Sequence, residues 1–153
     1  MTGSQFRYAY KVKWGDCDPA GLVYYPRFLA LFHDAMEAWF DEALLTPYKD
    51  LTLVSRLGLP SVHVEADFKA PCQFGDDLEV WLTLSKLGAS SLTLSYRIVS
   101  STKVPAPDTE VDERVSGRTV CVLMDLDPER GTYRKAVPIP TDLRARILAF
   151  AGQ

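Results

Sequence analysis

Between Pro26 and Leu45 the apolar residues recur with a helical period for about twenty residues, a length no other segment of the 153-residue chain approaches. At ~100° per residue, Phe28, Phe32, Ala35, Met36, Trp39 and Ala43 gather on one side, and Arg27, Asp34, Glu37 and Asp41 gather opposite. Pro26 suits the first turn, where its missing N–H costs nothing. A lone stripe of this length must be buried, and with no second long helix the partner has to be a sheet face.

The rest of the chain supplies that sheet. "FRYAYKVKW" alternates, with Phe6, Tyr8, Tyr10, Val12 and Trp14 on one face. "SVHVEADFKA" alternates strictly, Val62, Val64, Ala66, Phe68 and Ala70 against polar neighbours. "DLEVWLTLSKL" places Leu78, Val80, Leu82 and Leu84 together, and "SLTLSYRIVS" does so with Leu92, Leu94, Tyr96 and Ile98. Gly88 and Ala89 between these two predict a hairpin. "VSGRTVCVLMDLD" is apolar on both faces in its second half, which predicts an interior strand. "TPYKDLTLVSRLG" predicts a short helix with Thr46 as N-cap and Pro47 at N1, stopped by Gly58. "PIPTDLRARILAF" predicts another, capped by Thr141, and "TKVPAPDTEVDE" predicts a polar loop. Helix and strands are segregated, so the fold class is α+β with a mostly antiparallel five-stranded sheet, and residues 1–153 form one domain.

Composition excludes several classes. Hydrophobic content is 47%, charged content 24% and net charge −3, an ordinary balance that does not favour nucleic acid as a partner. No apolar run reaches the ~18 residues of a membrane span, and "MTGSQFRYAY" lacks a signal-peptide core. Cys17, Cys72 and Cys121 are odd in number and fit no zinc spacing, which points to a reduced, cytoplasmic protein without a metal. There is no βαβ alternation and no glycine-rich phosphate loop.

The stretch "WGDCDPAGLVYYP", Trp14 to Pro26, places Asp16, Cys17 and Asp18 just ahead of the long helix. Three readings compete: a turn with a cap, a metal site, or a catalytic carboxylate aimed at a helix N-terminus. The free N–H groups at a helix start form a local positive site that can hold a developing oxyanion, while a nearby carboxylate attacks or activates water. That arrangement suits acyl transfer from a thioester, whose leaving group needs no strong acid. The only histidines, His33 and His63, have no ligand-type partners at helical spacing, which disfavours metal. Carboxylates beside Cys17 raise its pKa and suppress the thiolate.

The chain resembles the hotdog-fold thioesterases, and in particular the 4-hydroxybenzoyl-CoA thioesterase branch. "GDCDPAGLVYYPRF" (15–28), "VEADFKAP" (64–71) and "GDDLEV" (75–80) carry the likeness, and the order of elements fits over nearly the whole chain. The resemblance implies a sheet wrapped on one central helix. It implies that Asp18, before Pro-Ala-Gly, is the nucleophile or general base. It implies that helix-start amides near Tyr25 polarise the thioester carbonyl and that Tyr24 and Tyr25 wall the acyl pocket; the bare alternative is that both tyrosines are core aromatics. Asp16 reads as a turn or capping residue. In that branch an acidic residue on the long helix meets the ring hydroxyl of the substrate; the matching position here is His33, at the border of the apolar face. Lys86, Ser90 and Ser91 in "SKLGASS" are the candidates for CoA phosphates. The expected activity is hydrolysis of an aromatic, hydroxybenzoyl-type acyl-CoA, with CoA entering only as part of the substrate and no cofactor. The alternatives are an aliphatic acyl-CoA, an acyl group on a carrier protein, or a non-catalytic acyl-CoA-binding module on the same fold. One helix leaves sheet surface uncovered, and the resemblance adds a homotetramer, or else a homodimer, with sites shared between subunits.

Overall fold

The protein is described by a computed structural model that covers residues 3–101 and 110–153. Strand β1 (Phe6–Lys11) turns Phe6, Tyr8 and Tyr10 inward, and Val12 beyond it is buried. The alternation does not extend to Trp14, as the sequence suggested. Asp16 accepts a hydrogen bond from the Lys13 N–H (2.8 Å) and donates its own N–H to the Lys13 carbonyl (3.0 Å). The resulting 3-10 turn, Trp14–Asp16, leaves Trp14 82% exposed.

Helix α1 (Tyr25–Ala38) continues through one π-helical turn, Trp39–Ala43. Its buried side comprises Phe28, Leu31, Phe32, Ala35, Met36, Trp39 and Phe40. Ala43, expected on that side, is only half-buried, and Leu44 takes the inward place. The wider turn, in which the Leu44 N–H donates to the Trp39 carbonyl (3.0 Å), shifts the register by one residue. Burying each of the large side chains contributes ~1.5–3 kcal/mol, and this dominates the helix's stability.

Helix α2 (Tyr48–Leu53) has Pro47, not Thr46, at its cap position, and Asp41 Oδ1 from the preceding helix accepts the Tyr48 N–H (2.8 Å). It ends at Leu53, ahead of Gly58, which lies in the short strand β2 (Leu57–Gly58). The remaining elements are β3 (Ser61–Phe68), β4 (Asp77–Leu87), β5 (Ser91–Ser100), β6 (Glu113–Val122), β7 (Met124–Asp125) and α3 (Thr141–Phe150). In α3, too, a proline, Pro140, holds the cap position, and Thr141 is the first helical residue without a capping hydrogen bond. Most of the polar loop expected ahead of β6 lies at residues 102–109, outside the described residues.

The main sheet has the order β1-β4-β5-β6-β3 and every pair is antiparallel. A second ribbon, β2–β7, was not foreseen. One α+β layer pair results: α1 lies across the face formed by Leu78, Val80 and Leu82 of β4, Leu94, Tyr96 and Ile98 of β5, and Val115 of β6. Phe32 stacks on Tyr96 with ring centroids 4.5 Å apart. The close approach is possible because β6 has Gly117 there: a Cβ would overlap the Phe32 ring and sit 2.8 Å from the Glu65 carbonyl oxygen. This is the hotdog arrangement.

β3 departs from its sequence pattern. Val62, Val64 and Phe68 are 64%, 43% and 51% exposed. A helix is ~10–12 Å across and strands repeat every ~4.8 Å, so one helix cannot roof five strands. β3 is the edge that α1 leaves open, and a bulge between Ser61 and His63 sets Val62 out of register.

Candidate active site

Residues 17–23 close a tight loop. Cys17 bridges Val23, the Asp18 N–H donates to the Leu22 carbonyl (2.9 Å), and the Gly21 N–H donates to the Asp18 carbonyl (2.9 Å). Pro19 follows the first position of this turn and Gly21 adopts φ +78°, a value that favours glycine. Asp18 Oδ1 accepts the Ala20 N–H at 2.8 Å and the Leu22 N–H at 3.4 Å. Its second oxygen has no partner among the described residues, and the side chain is exposed. One oxygen is thus fixed by the loop and the other is free to react.

The loop is fastened to the sheet on its other flank. Leu22 bridges Gln73, and the Val23 N–H donates to the Cys72 carbonyl (2.9 Å). Two residues later α1 begins, with extended Tyr24 at the cap position, no side-chain cap and no acidic residue in the first turn. The Tyr25 N–H has no acceptor among the described residues. An uncapped start with its positive dipole end free is what an oxyanion site requires.

Asp16 and Asp18 have opposite environments. Asp16 is 3% exposed and accepts hydrogen bonds from the Tyr10 hydroxyl (2.7 Å), the Lys13 N–H and the Arg27 guanidinium (2.7 and 2.9 Å). Burial alone would raise its pKa; the bonds from Tyr10, Lys13 and Arg27, with the Arg27 charge, more than offset that and hold it below the ordinary carboxylate range. In return, burial and the bond to Asp16 push the Tyr10 hydroxyl up to about 12. Asp16 therefore ties β1 to the first turn of α1 and has no lone pair to spare for chemistry. The Cys17 thiol is pushed up by burial and by Asp16, Asp18 and Asp76.

Around this centre lie two hollows. Asp18 opens on one of ≈ 640 Å³, walled by Trp14, Cys17, Pro19 and Phe74. Tyr25 lines a second of ≈ 320 Å³ with Phe28, Phe68, Lys69 and Pro71. Tyr24 lines neither, although it is 44% exposed. His33 lies on the exposed border of α1, with Nε2 3.7 Å from Glu37 and its ring edge on Tyr48 at 5.8 Å. It reaches a smaller hollow of ≈ 90 Å³ beside Phe32, Tyr96 and Thr119. Lys86, Ser90 and Ser91 are not brought to Asp18 within one subunit. β1 runs antiparallel to β4 with Lys11 opposite Asp77, so the Asp18 loop is at the start of β4. Lys86 is nine residues further along it, ~30 Å at ~3.3 Å per residue. Arg27, Trp14 and Phe74 are site neighbours that sequence reasoning missed. Arg27 meets Asp16 across eleven positions that run through the 17–23 loop, from the 3-10 turn to the first turn of α1, so no single helix or strand period relates the two. Among the described residues no three His, Cys, Asp or Glu side chains converge to hold a metal ion, and no helix is long and apolar enough to cross a membrane.

Comparison with known proteins gives a consistent result. Residues 12–147 match the Thioesterase-like superfamily. A 1,4-dihydroxy-2-naphthoyl-CoA hydrolase of Synechocystis is 33% identical over 142 residues, covering 93% of this chain and 94% of the relative. A solved 1,4-dihydroxy-2-naphthoyl-CoA thioesterase from Synechocystis shares 29% identity at a TM-score of 0.76, covering 94% of this chain and 95% of its own. A gentisyl-coenzyme A thioesterase shares 25% identity at a TM-score of 0.75, covering 92% and 98% of the two chains.

Proposed function

The chain belongs to the thioesterase-like superfamily, and from that premise we propose that it is an acyl-CoA thioesterase that hydrolyses an aromatic, hydroxylated acyl-CoA to the free acid and CoA. The observation that carries the reading is Asp18: one oxygen is held by the Ala20 and Leu22 amides and the other is free, on a loop that ends at the uncapped start of α1. The thioester carbonyl oxygen lies toward the amides near Tyr25, where the charge of the tetrahedral adduct develops. Either the free Asp18 oxygen adds to the carbonyl carbon, or it takes a proton from a water that adds. The C–S bond then breaks and CoA leaves as a thiolate. In the first route the acid is released when water cleaves the mixed anhydride; in the second it is formed directly.

The aromatic assignment rests on the relatives, whose names specify hydroxylated rings, and on the aromatic walls near Asp18 and Tyr25. A ring hydroxyl would meet His33, which can donate or accept one hydrogen bond without an acid's charge. The exposed β3 edge supports a homodimer joined antiparallel through two such strands, paired again as a tetramer. Free Cys17, Cys72 and Cys121 fit a cytoplasmic setting. The test is thiol release from a panel of benzoyl, hydroxybenzoyl, dihydroxynaphthoyl and straight-chain CoA esters. Faster release from the hydroxylated rings supports the assignment. A preference for long aliphatic chains overturns the substrate class, and release from none of them overturns the enzyme.

A further inference from the structure

Arg27 stands in the first turn of α1, the positive end of the helix, where an acidic residue is favoured and a cation is not. Its guanidinium is satisfied from outside the helix. Nε and Nη2 both donate to Oδ1 of Asp16, at 2.9 and 2.7 Å. Asp16 is itself fixed. Its Oδ2 accepts the Tyr10 hydroxyl of β1 (2.7 Å) and the Lys13 N–H (2.8 Å), its own N–H donates to the Lys13 carbonyl (3.0 Å), and the residue is buried. The fork therefore fastens the start of α1 to β1 and the 3-10 turn after it. The first turn has no side-chain cap, and the fork takes the place of one in fixing where the helix begins.

The pair closes residues 16–27 into a ring. Both groups that the proposed chemistry needs lie inside it: Asp18 follows one anchor by two residues, and the Tyr25 amide precedes the other by two. Within the ring the Asp18 N–H donates to the Leu22 carbonyl (2.9 Å), and on its outer flank the Val23 N–H donates to the Cys72 carbonyl (2.9 Å). Asp18 and Tyr25 are both exposed, on a loop and at a helix end, whereas reacting groups must be held within a fraction of an ångström of their productive geometry. Closing the ring supplies the constraint that burial does not. The Asp16 carboxylate also offsets the guanidinium charge at the helix start, so what Arg27 adds there is geometry rather than field.

We infer that Arg27 is a positioning residue for thioester hydrolysis: acting through Asp16, it sets the separation between the free Asp18 oxygen and the Tyr25 amide. This rests on the acyl-CoA reading. Arg27 itself exchanges no proton and makes no bond to the substrate. The role needs a planar fork with two donors in fixed relation on one side chain; lysine brings the charge without the fork, and methionine brings the apolar stem without either.

The test is single-turnover and steady-state kinetics of Arg27→Met, Arg27→Lys and the double variant Arg27→Met/Asp16→Asn, with the acyl-CoA that the native protein hydrolyses fastest. In Arg27→Met, kcat per folded molecule should fall ~3–10-fold, short of the ~100-fold that a misplacement of 1 Å can cost, while KM stays within about twofold of native. Arg27→Lys should recover part of the loss and remain at least ~2-fold below native. The double variant should be no slower than the slower single one, because both changes break the same link. A second readout is independent of turnover: the Ala20 amide, held by Asp18 Oδ1, should exchange its hydrogen at least ~3-fold faster in Arg27→Met, with the Val80 amide of β4 unchanged. Native kcat together with native Ala20 exchange in Arg27→Met overturns the inference. So does a loss carried wholly by KM, which would make Arg27 a substrate-binding residue, and so does full recovery in Arg27→Lys, which would make its charge the active property. If Arg27→Met does not fold, Arg27→Lys decides alone by the same two rates. Absence of thiol release from every acyl-CoA would overturn the proposed activity and leave the exchange test of the ring standing.

Discussion

Replacing Asp18 and Asp16 separately by asparagine should divide the two carboxylates of one loop into a chemical role and a mechanical one. In Asp18→Asn the retained carbonyl oxygen can still accept the Ala20 N–H, now bonded at 2.8 Å, and the side chain is exposed. The stability change should stay within ~0.5 kcal/mol, as for surface substitutions generally. The free oxygen loses its charge, and turnover should fall at least ~100-fold, the low end for removing an acid–base group. In Asp16→Asn the four hydrogen bonds from Tyr10, Lys13 and Arg27 can no longer all be accepted. Bonds to charged groups are worth ~1.5–3 kcal/mol each, but the Arg27 side chain is 41% exposed and regains water, so a net loss of ~2–3 kcal/mol follows. With a urea dependence of ~1–3 kcal/mol/M, the unfolding midpoint should drop by ~1–2 M. Turnover per folded molecule should fall less than ~10-fold. The pH dependence separates the two again. The folded-state pKa of Asp16 is held below its ordinary 3.8, so its contribution is present above pH ~4 and disappears as pH falls through the lower folded value. Asp16→Asn should lack that part of the acid limb, and Asp18→Asn should keep it. Urea titrations from pH 2 to 7 and single-turnover kinetics measure both quantities. A fully active Asp18→Asn with a folded but inactive Asp16→Asn would refute the assignment of roles.

Three further outcomes are expected. Gly117→Ala should cost ~1–3 kcal/mol, because its Cβ meets Phe32, already stacked on Tyr96, and the Glu65 backbone in β3; a drop in Tm of ~2–4 °C per kcal/mol checks it, and an unchanged Tm would mean α1 sits further from β6. His33→Ala should lower kcat/KM for a hydroxybenzoyl ester by ~1–2 kcal/mol, the scale of one hydrogen bond, and leave benzoyl-CoA nearly unaffected; equal losses on both esters would reduce His33 to a structural residue. Val64→Lys on the open face of β3 should shift sedimentation from an oligomer toward monomer with loss of activity, whereas a native protein that is an active monomer would remove the shared-site reading.

The long helix, the β4–β5 hairpin and the interior place of β6 were legible because each is fixed by a local period that burial then respects. What was not legible depended on groups far apart in sequence. Ala43 gave way to Leu44 because a π-turn, invisible to a 3.6-residue count, adds a residue to the turn. Val62, Val64 and Phe68 alternate as a buried strand should, yet lie open because the sheet is wider than the helix above it. Thr46 and Thr141 carry the right chemistry for caps, but the prolines next to them hold the cap positions, and Asp41 serves α2 from another segment. At the site, "GDCDPAG" marked both carboxylates, but only the folded arrangement separates them: Arg27 reaches Asp16, and among the described residues no basic side chain reaches Asp18. The β2–β7 ribbon left no sequence signal, because it is two residues long on each side.

The strand order has a consequence for how the chain acquires its shape during synthesis. β4, β5 and β6 are sequential neighbours, but β1 and β3 pair with strands that follow them by about seventy and fifty residues. Everything through Phe68, including the Asp18 loop and the aromatic face of α1, leaves the ribosome before its partner surface exists. The β4–β5–β6 meander, whose strands follow one another in sequence, is the natural template on which the N-terminal half then docks. A nascent chain halted before β4 would display Phe28, Phe32, Trp39 and Phe40 with nothing to cover them. The half of the molecule that carries Asp18 and the start of α1 is therefore made first and finished last, and a slow stretch of translation within β4 to β6 would prolong the exposure of its apolar side chains.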